Sequence, residues 1–193
     1  MEKTIGCVVM AAGNASRFGA NKLARELDGK TLIRRVLDAI PTDLFAVVAV
    51  VTQYPEIEAL ALERGFVPVR NQHPDWGISH TISLGLNYTD RCDGVLFTVS
   101  DQPMLTEETF RRVAEAWQAY PEGIAAAAHK GKRGNPCLFA SRFFPELRAL
   151  REDCGGSTVI RRHGEALTLV ETAAVELTDC DTPEQLEELK KVP

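Results

Sequence analysis

The chain has 193 residues, 45% of them hydrophobic and 25% charged, which suits one domain with a sizeable core and leaves two independent domains cramped. Its formal net charge of -5 argues against a general nucleic-acid-binding surface, and no apolar run approaches the ~20 residues that span a bilayer. Five cysteines, odd in number and without a Cys-x-x-Cys pair, and four scattered histidines argue against a disulfide framework or a zinc site.

Thr4 to Ala11 is a short apolar, β-branched run and reads as a buried strand. A working-loop motif follows it rather than a cleavage site, so a cytosolic protein with no membrane partner is expected. Thr31 caps a helix, with Leu32, Ile33, Val36, Leu37 and Ile40 apolar and Arg34, Arg35 and Asp38 facing away. Phe45 to Val51 is a second buried strand. Pro55 to Arg64 is a helix stopped by Gly65, and Phe66 to Val69 is a short strand. Ile78 to Tyr88 reads as helical and Gly94 to Val99 as another buried strand. Thr106 opens a helix with Glu107 and Glu108 in its first turn, where carboxylates suit the helix dipole. Ile124 to Ala128 and Cys137 to Ala140 are candidate strands, Arg142 to Leu150 and Ser157 to His163 helices, and Leu167 to Val170 a late strand. The last helix opens Thr182-Pro183-Glu184-Gln185: a threonine cap, proline at the first helical position, and glutamine completing a capping box.

Continuous apolar strands alternating with helices predict an α/β fold with a mostly parallel sheet covered on both faces. Such sheets bind ligands beyond the carboxyl ends of their strands. The loops after Ala11, Val51, Val69 and Val99 are therefore the ones to search.

The first loop carries the strongest signal. Ala11, Ala12 and Gly13 permit close backbone approach, and exposed N–H groups there can cradle an anion. Arg17 and Lys22 add positive charge and Ser16 a hydroxyl, which suits a polyphosphate. The loop is neither a Walker loop nor a dinucleotide fingerprint, since no Gly-Lys-Ser/Thr follows and Gly-x-Gly-x-x-Gly is absent. The competing reading is an ordinary strand-to-helix turn with surface charges. After the strand ending at Val99, Asp101 is placed to hold Mg²⁺ against phosphate oxygens, or else is a turn-forming residue. Asp181 is either a second metal carboxylate or part of the set-up of the capping box. The segment from Asn71 through Gly77 to Thr81 is rich in hydrogen-bonding groups and suits recognition of a base or ribose. Trp76 within it either stacks on a ligand or packs in the core.

Taken together these motifs resemble the MobA-like NTP transferases, and among them the molybdenum cofactor cytidylyltransferase branch. That family carries a Leu-Ala-Ala-Gly-x-Ser-x-Arg-Met-Gly-x-x-Lys loop. Here it stands as Met10 to Lys22, with one extra residue before Ser16 and Phe18 in place of methionine. The family's Asp-x-Pro turn matches Asp101-Gln102-Pro103, and its Asn…Trp…Gly…Ser/Thr…Gly-Leu segment matches Asn71, Trp76, Gly77, Thr81, Gly85 and Leu86. Gly134 to Phe139 and Asp179 to Leu186 resemble its later motifs. Two departures are Glu152 and Ser157, where the family often has glycine and arginine; a third is the stretch after Lys22, which lacks Gln-Leu-Leu.

The resemblance implies a Rossmann-like three-layer sandwich of the nucleotide-diphospho-sugar transferase type, spanning residues 1–193 as one domain. It implies Mg²⁺ on Asp101 and Asp181, with Arg17, Lys22 and Asp101 in catalysis. Nucleotide binding would fall to Ala11, Ala12, Gly13, Ser16, Arg17, Gly19, Lys22, Asn71, Gly77, Thr81 and Asp101. The NTP would be CTP, since the Ala-Ala-Gly form is that of the CTP-using branch. The acceptor would be a phosphorylated small molecule such as molybdopterin, and a molybdoenzyme or its maturation factor a partner. Two alternatives are transfer to a sugar phosphate or isoprenoid-precursor phosphate, and nucleotide binding without turnover in a cofactor-insertion partner.

Overall fold

A computed structural model describes residues 3–13 and 22–191. The first strand, β1 (Ile5–Ala11), is buried along its length because both faces of the sheet are covered. A 3-10 turn, Lys22–Ala24, and a two-stranded hairpin, β2 (Glu26–Leu27) with β3 (Lys30–Thr31), lead into α1 (Leu32–Ala39). Thr31 caps that helix, its hydroxyl accepting from the Arg34 N–H, and Leu32, Ile33, Val36 and Leu37 are buried as the spacing predicts.

The chain continues through β4 (Val47–Thr52), α2 (Pro55–Glu63), β5 (Val67–Arg70), α3 (Ile78–Thr89) and β6 (Gly94–Val99). It then runs through α4 (Glu107–Ala119), β7 (Ile124–His129), β8 (Lys132–Ala140), α5 (Phe144–Ala149), α6 (Ser157–Arg162), β9 (Leu167–Glu171) and α7 (Pro183–Leu189). Among the described residues no helix is long and apolar enough to cross a membrane.

Seven strands form one sheet in the order β5-β4-β1-β6-β8-β7-β9. Its pairings are parallel except for β8, which runs antiparallel to both β6 and β7. Cys137 to Ala140, read as a strand in the sequence, is only the second half of β8; the polar half from Lys132 is held by pairing with β7.

Helices cover both faces, and two glycines show it. Gly6 and Val95 are register partners, and a side chain at Gly6 would meet Thr89 of α3; Gly94, one residue earlier on β6, would meet Trp117 of α4. Side chains alternate across a strand, so α3 and α4 lie on opposite faces. Gly85 of α3 sits so close to Val8 that an added Cβ would be 2.4 Å from its Cγ1. The carboxyl ends of β1, β4, β5 and β6 therefore share one edge, and their loops meet there.

Candidate active site

Lys22, Asp101 and Asp181 meet at that edge. Lys22 Nζ donates to Asp101 Oδ2 at 2.8 Å and to Asp181 Oδ1 at 2.7 Å. Burial by itself would lower the Lys22 pKa, but the Asp101 charge and hydrogen bonds to both carboxylates outweigh it and hold the pKa above its ordinary value. The lysine is thus a fixed cation at neutral pH.

Local packing explains why residues so far apart in sequence converge. Leu27 of the hairpin, Leu32 of α1, and Cys180, Leu186 and Leu189 around α7 form a small apolar cluster of their own. Cys180 of that cluster directly precedes Asp181, and the hairpin that holds Leu27 follows the turn bearing Lys22. Arg35 of α1 adds hydrogen bonds to Leu27 O and Pro103 O at 3.3 and 3.2 Å.

The Cys180 N–H donates to Asp101 O at 2.8 Å, which joins the two acidic turns by backbone. Ser100 Oγ donates to Met10 O at 2.9 Å and ties the first of them to β1. The Asp181 turn sets up the capping box, and its carboxylate points to the site at the same time. Gln185 Oε1 accepts from the Asp181 and Thr182 N–H groups, Thr182 caps Gln185, and the Asp181 carboxylate still reaches Lys22.

Asp179 is a third carboxylate in this group. Burial raises its pKa above the ordinary value against a hydrogen bond from Gln102, and the Asp101 and Asp181 charges push the same way. Among the described residues no group of three or more His, Cys, Asp or Glu side chains is arranged to hold a metal. Two carboxylate oxygens already share one cationic atom, however. Mg²⁺ takes one or two protein carboxylates and completes its shell with phosphate oxygens and water, so the donor set fits that ion.

Beside Lys22 and Asp101 runs a groove of about 370 Å³. Ala12, Gly13, Gly77 and Thr81, expected from the sequence to bind nucleotide, line it. Ala11 is instead buried as the last residue of β1. Asn71 is also buried: its Nδ2 donates to Thr81 Oγ1 and its Oδ1 accepts from the His73 N–H, so it shapes the loop from behind. Ser16, Arg17 and Gly19 lie outside the described residues.

Three contributors escaped sequence reasoning. Gln53 Nε2 donates to Ala12 O at 2.9 Å and Tyr54 Oη to Gly13 O at 3.1 Å, so the end of β4 fixes the start of the first loop. Asp153 lines the groove. It arrives there because Gly77, at φ +83°, lies against the backbone of Glu152, where an added Cβ would be 2.4 Å from the carbonyl carbon, and because the Ser79 N–H donates to Glu152 O. The departures from the family motif around Glu152 marked this loop, but not its direction. Trp76 is 55% exposed, stacked on His73 with ring centroids 4.1 Å apart. Core packing is the fate of Trp117 instead.

Comparison with known proteins places these features. The family described as the MobA-like NTP transferase domain matches residues 7–167. Purine catabolism protein PucB of Bacillus subtilis (strain 168) is 26% identical over 197 residues, covering 95% of each chain. A solved nucleotidyl transferase from Methanothermobacter thermautotrophicus has a TM-score of 0.82 at 22% identity, covering 97% of this chain and 96% of its own. The manganese complex of Rv0371C from Mycobacterium tuberculosis H37Rv has a TM-score of 0.76 at 21% identity, covering 97% and 98%.

Proposed function

This chain belongs to the MobA-like NTP transferase family, and on that footing we propose that it is a Mg²⁺-dependent transferase moving a nucleoside monophosphate from an NTP to a phosphorylated small molecule. Pyrophosphate is the second product. The protein acts in the cytoplasm as one domain over residues 1–193. The observation that carries the reading is the convergence of Asp101 and Asp181 on Lys22 beside a groove floored by the end of β1.

In this reading the triphosphate lies along Ala12 and Gly13, with Lys22 and Arg17 countering its charge. Asp101 and Asp181 would hold Mg²⁺, which neutralises phosphate charge and makes the α-phosphorus more electrophilic. An oxygen of the acceptor phosphate attacks that phosphorus. A new P–O bond forms as the bond to the β-phosphate oxygen breaks, and pyrophosphate leaves with the electron pair. The acceptor phosphate is already ionised near pH 7, so no strong general base is needed. Positioning and charge stabilisation carry the rate. The Ala11-Ala12-Gly13 form favours CTP. Molybdopterin is the acceptor to which the resemblance points, with a molybdoenzyme or its maturation factor receiving the product. The manganese complex of the mycobacterial neighbour supports a divalent ion.

The test is pyrophosphate release with CTP, GTP, ATP and UTP, each against molybdopterin and other phosphorylated acceptors, with and without Mg²⁺. Release should require metal and be fastest with CTP. NTP binding with no pyrophosphate from any pair would replace transfer by a binding role.

A further inference from the structure

The carbonyls at the start of the first loop are held from outside the groove. Gln53 Nε2 donates to Ala12 O at 2.9 Å and Tyr54 Oη to Gly13 O at 3.1 Å. Ala12 and Gly13 line the groove, whereas neither Gln53 nor Tyr54 does. Both donors hang from a fixed strand end. Thr52 is buried; its Oγ1 accepts from the Tyr54 N–H at 3.1 Å and its carbonyl from the Asn71 N–H at 2.8 Å. Arg70 of β5 donates to Gln53 O at 2.8 Å and is itself paired with Glu58 of α2.

The direction of one carbonyl sets the direction of the next N–H, because a trans peptide holds the two antiparallel. In the sheet β1 lies between β4 and β6. With Ala12 O drawn to the end of β4, the Gly13 N–H is turned to the other side, where Val99, Ser100 and Asp101 line the groove. It donates to no acceptor among the described residues. Packing does not fix this peptide: a Cβ added at Gly13 would meet no atom within 4 Å among the described residues. A flipped unit would aim its carbonyl, the negative end of the peptide dipole, into the groove and repel an anion.

We propose that Gln53 and Tyr54 are positioning residues for the polyphosphate, holding the Ala12 and Gly13 carbonyls out of the groove so that the Gly13 N–H donates into it. They act through the loop rather than on the ligand. Their effect is set before the ligand arrives and falls on ligands that carry phosphates. The inference rests on the nucleotidyl-transfer reading above, in which the triphosphate lies along Ala12 and Gly13.

The experiment titrates the full chain with CTP and with inorganic tripolyphosphate, both in Mg²⁺ and followed by calorimetry, and with cytidine, followed by saturation-transfer NMR. Gln53→Met and Tyr54→Phe should each weaken CTP and tripolyphosphate roughly fivefold, as the loss of one hydrogen bond would, and the double variant should lose more than either. Cytidine should bind the variants as it binds the wild type. In the wild type the Gly13 amide proton should move downfield when tripolyphosphate binds, and in the double variant that shift should be lost even at saturation. Thermal melts check that each variant is folded. Wild-type affinity for tripolyphosphate in the folded double variant overturns the inference, as does a wild-type Gly13 amide that does not move. Equal loss of cytidine also overturns it, since the two side chains would then only hold the groove in shape. Tripolyphosphate binding that depends on Gln53 and Tyr54 in a chain that binds no CTP upholds the positioning and sinks the transfer reading instead.

Discussion

Asp101 is hydrogen-bonded to Lys22 and partly exposed, so replacing it by alanine leaves little buried strain. Asp101→Ala should cost about 3 kcal/mol of barrier, by analogy with loss of one charge-stabilising donor, a fall in kcat of at least a hundredfold. Pyrophosphate release and a thermal melt on the same sample separate lost chemistry from lost fold. Asp179 behaves differently. Burial and its neighbours Asp101 and Asp181 raise its folded pKa above 3.8, so its charge opposes folding. That penalty is complete above the folded pKa and gone below the unfolded one. Asp179→Asn keeps an acceptor for Gln102 while removing the charge, so it should raise Tm at pH 7 and lose that advantage as pH falls through the folded pKa. A Tm difference that does not change with pH would show that Asp179 is not the cause. Gly77→Ala places a Cβ against the Glu152 backbone at a φ of +83° and ψ of -179°, a region nearly restricted to glycine, where other residues are strained by about 1–3 kcal/mol before any clash. It should lower Tm and raise the KM for NTP together.

At the scale of elements, the segment between β9 and α7 is fixed by one buried carboxylate. Glu176 Oε2 accepts from Thr106 N and Oγ1 and from Thr109 Oγ1, and Oε1 accepts from Thr172 Oγ1. Burial raises its pKa, but these hydrogen bonds outweigh it and leave it below the ordinary value. The stabilisation is therefore present above the unfolded pKa of 4.5 and lost as pH falls through the folded one. Glu176→Ala strips a charged acceptor from several donors and should cost about 2–3 kcal/mol, read by urea unfolding at pH 7, with the difference shrinking in acid. Elements built on composition were legible: β1, β4 and β6 are apolar runs, and Thr31, Thr106 and Thr182 announce their helices. The hairpin of β2 and β3 was not, because two-residue strands have no periodicity to show. The first half of β8 was not either. Lys132, Arg133, Gly134 and Asn135 carry no strand signal of their own, and Lys132 and Arg133 are extended because the tight hairpin pairs them with His129 and Ala128.

The whole molecule decides how the site is completed. Lys22 and Asp181 are 159 residues apart, and the groove also draws on Gly77, Asp101 and Asp153. The first loop and the Asp101 turn could be picked out because each follows a strand that the composition reveals, and the Asp181 turn because it opens a capping box. That they would share one lysine, and that Gln53, Tyr54 and Asp153 would join them, depended on strand order, which periodicity does not encode. Ligand binding must then stabilise the assembled fold rather than one segment of it. A ligand at a hundred times its Kd adds about 2.7 kcal/mol, and at about 2–4 °C per kcal/mol for a chain of this size Mg²⁺ with CTP should raise Tm by roughly 5–10 °C. The same CTP concentration in excess chelator should give a small part of that shift, because Asp101 and Asp181 then repel the triphosphate with only Lys22, among the described residues seen here, held between them. An equal shift with and without metal would mean that the two carboxylates hold no cation for the nucleotide.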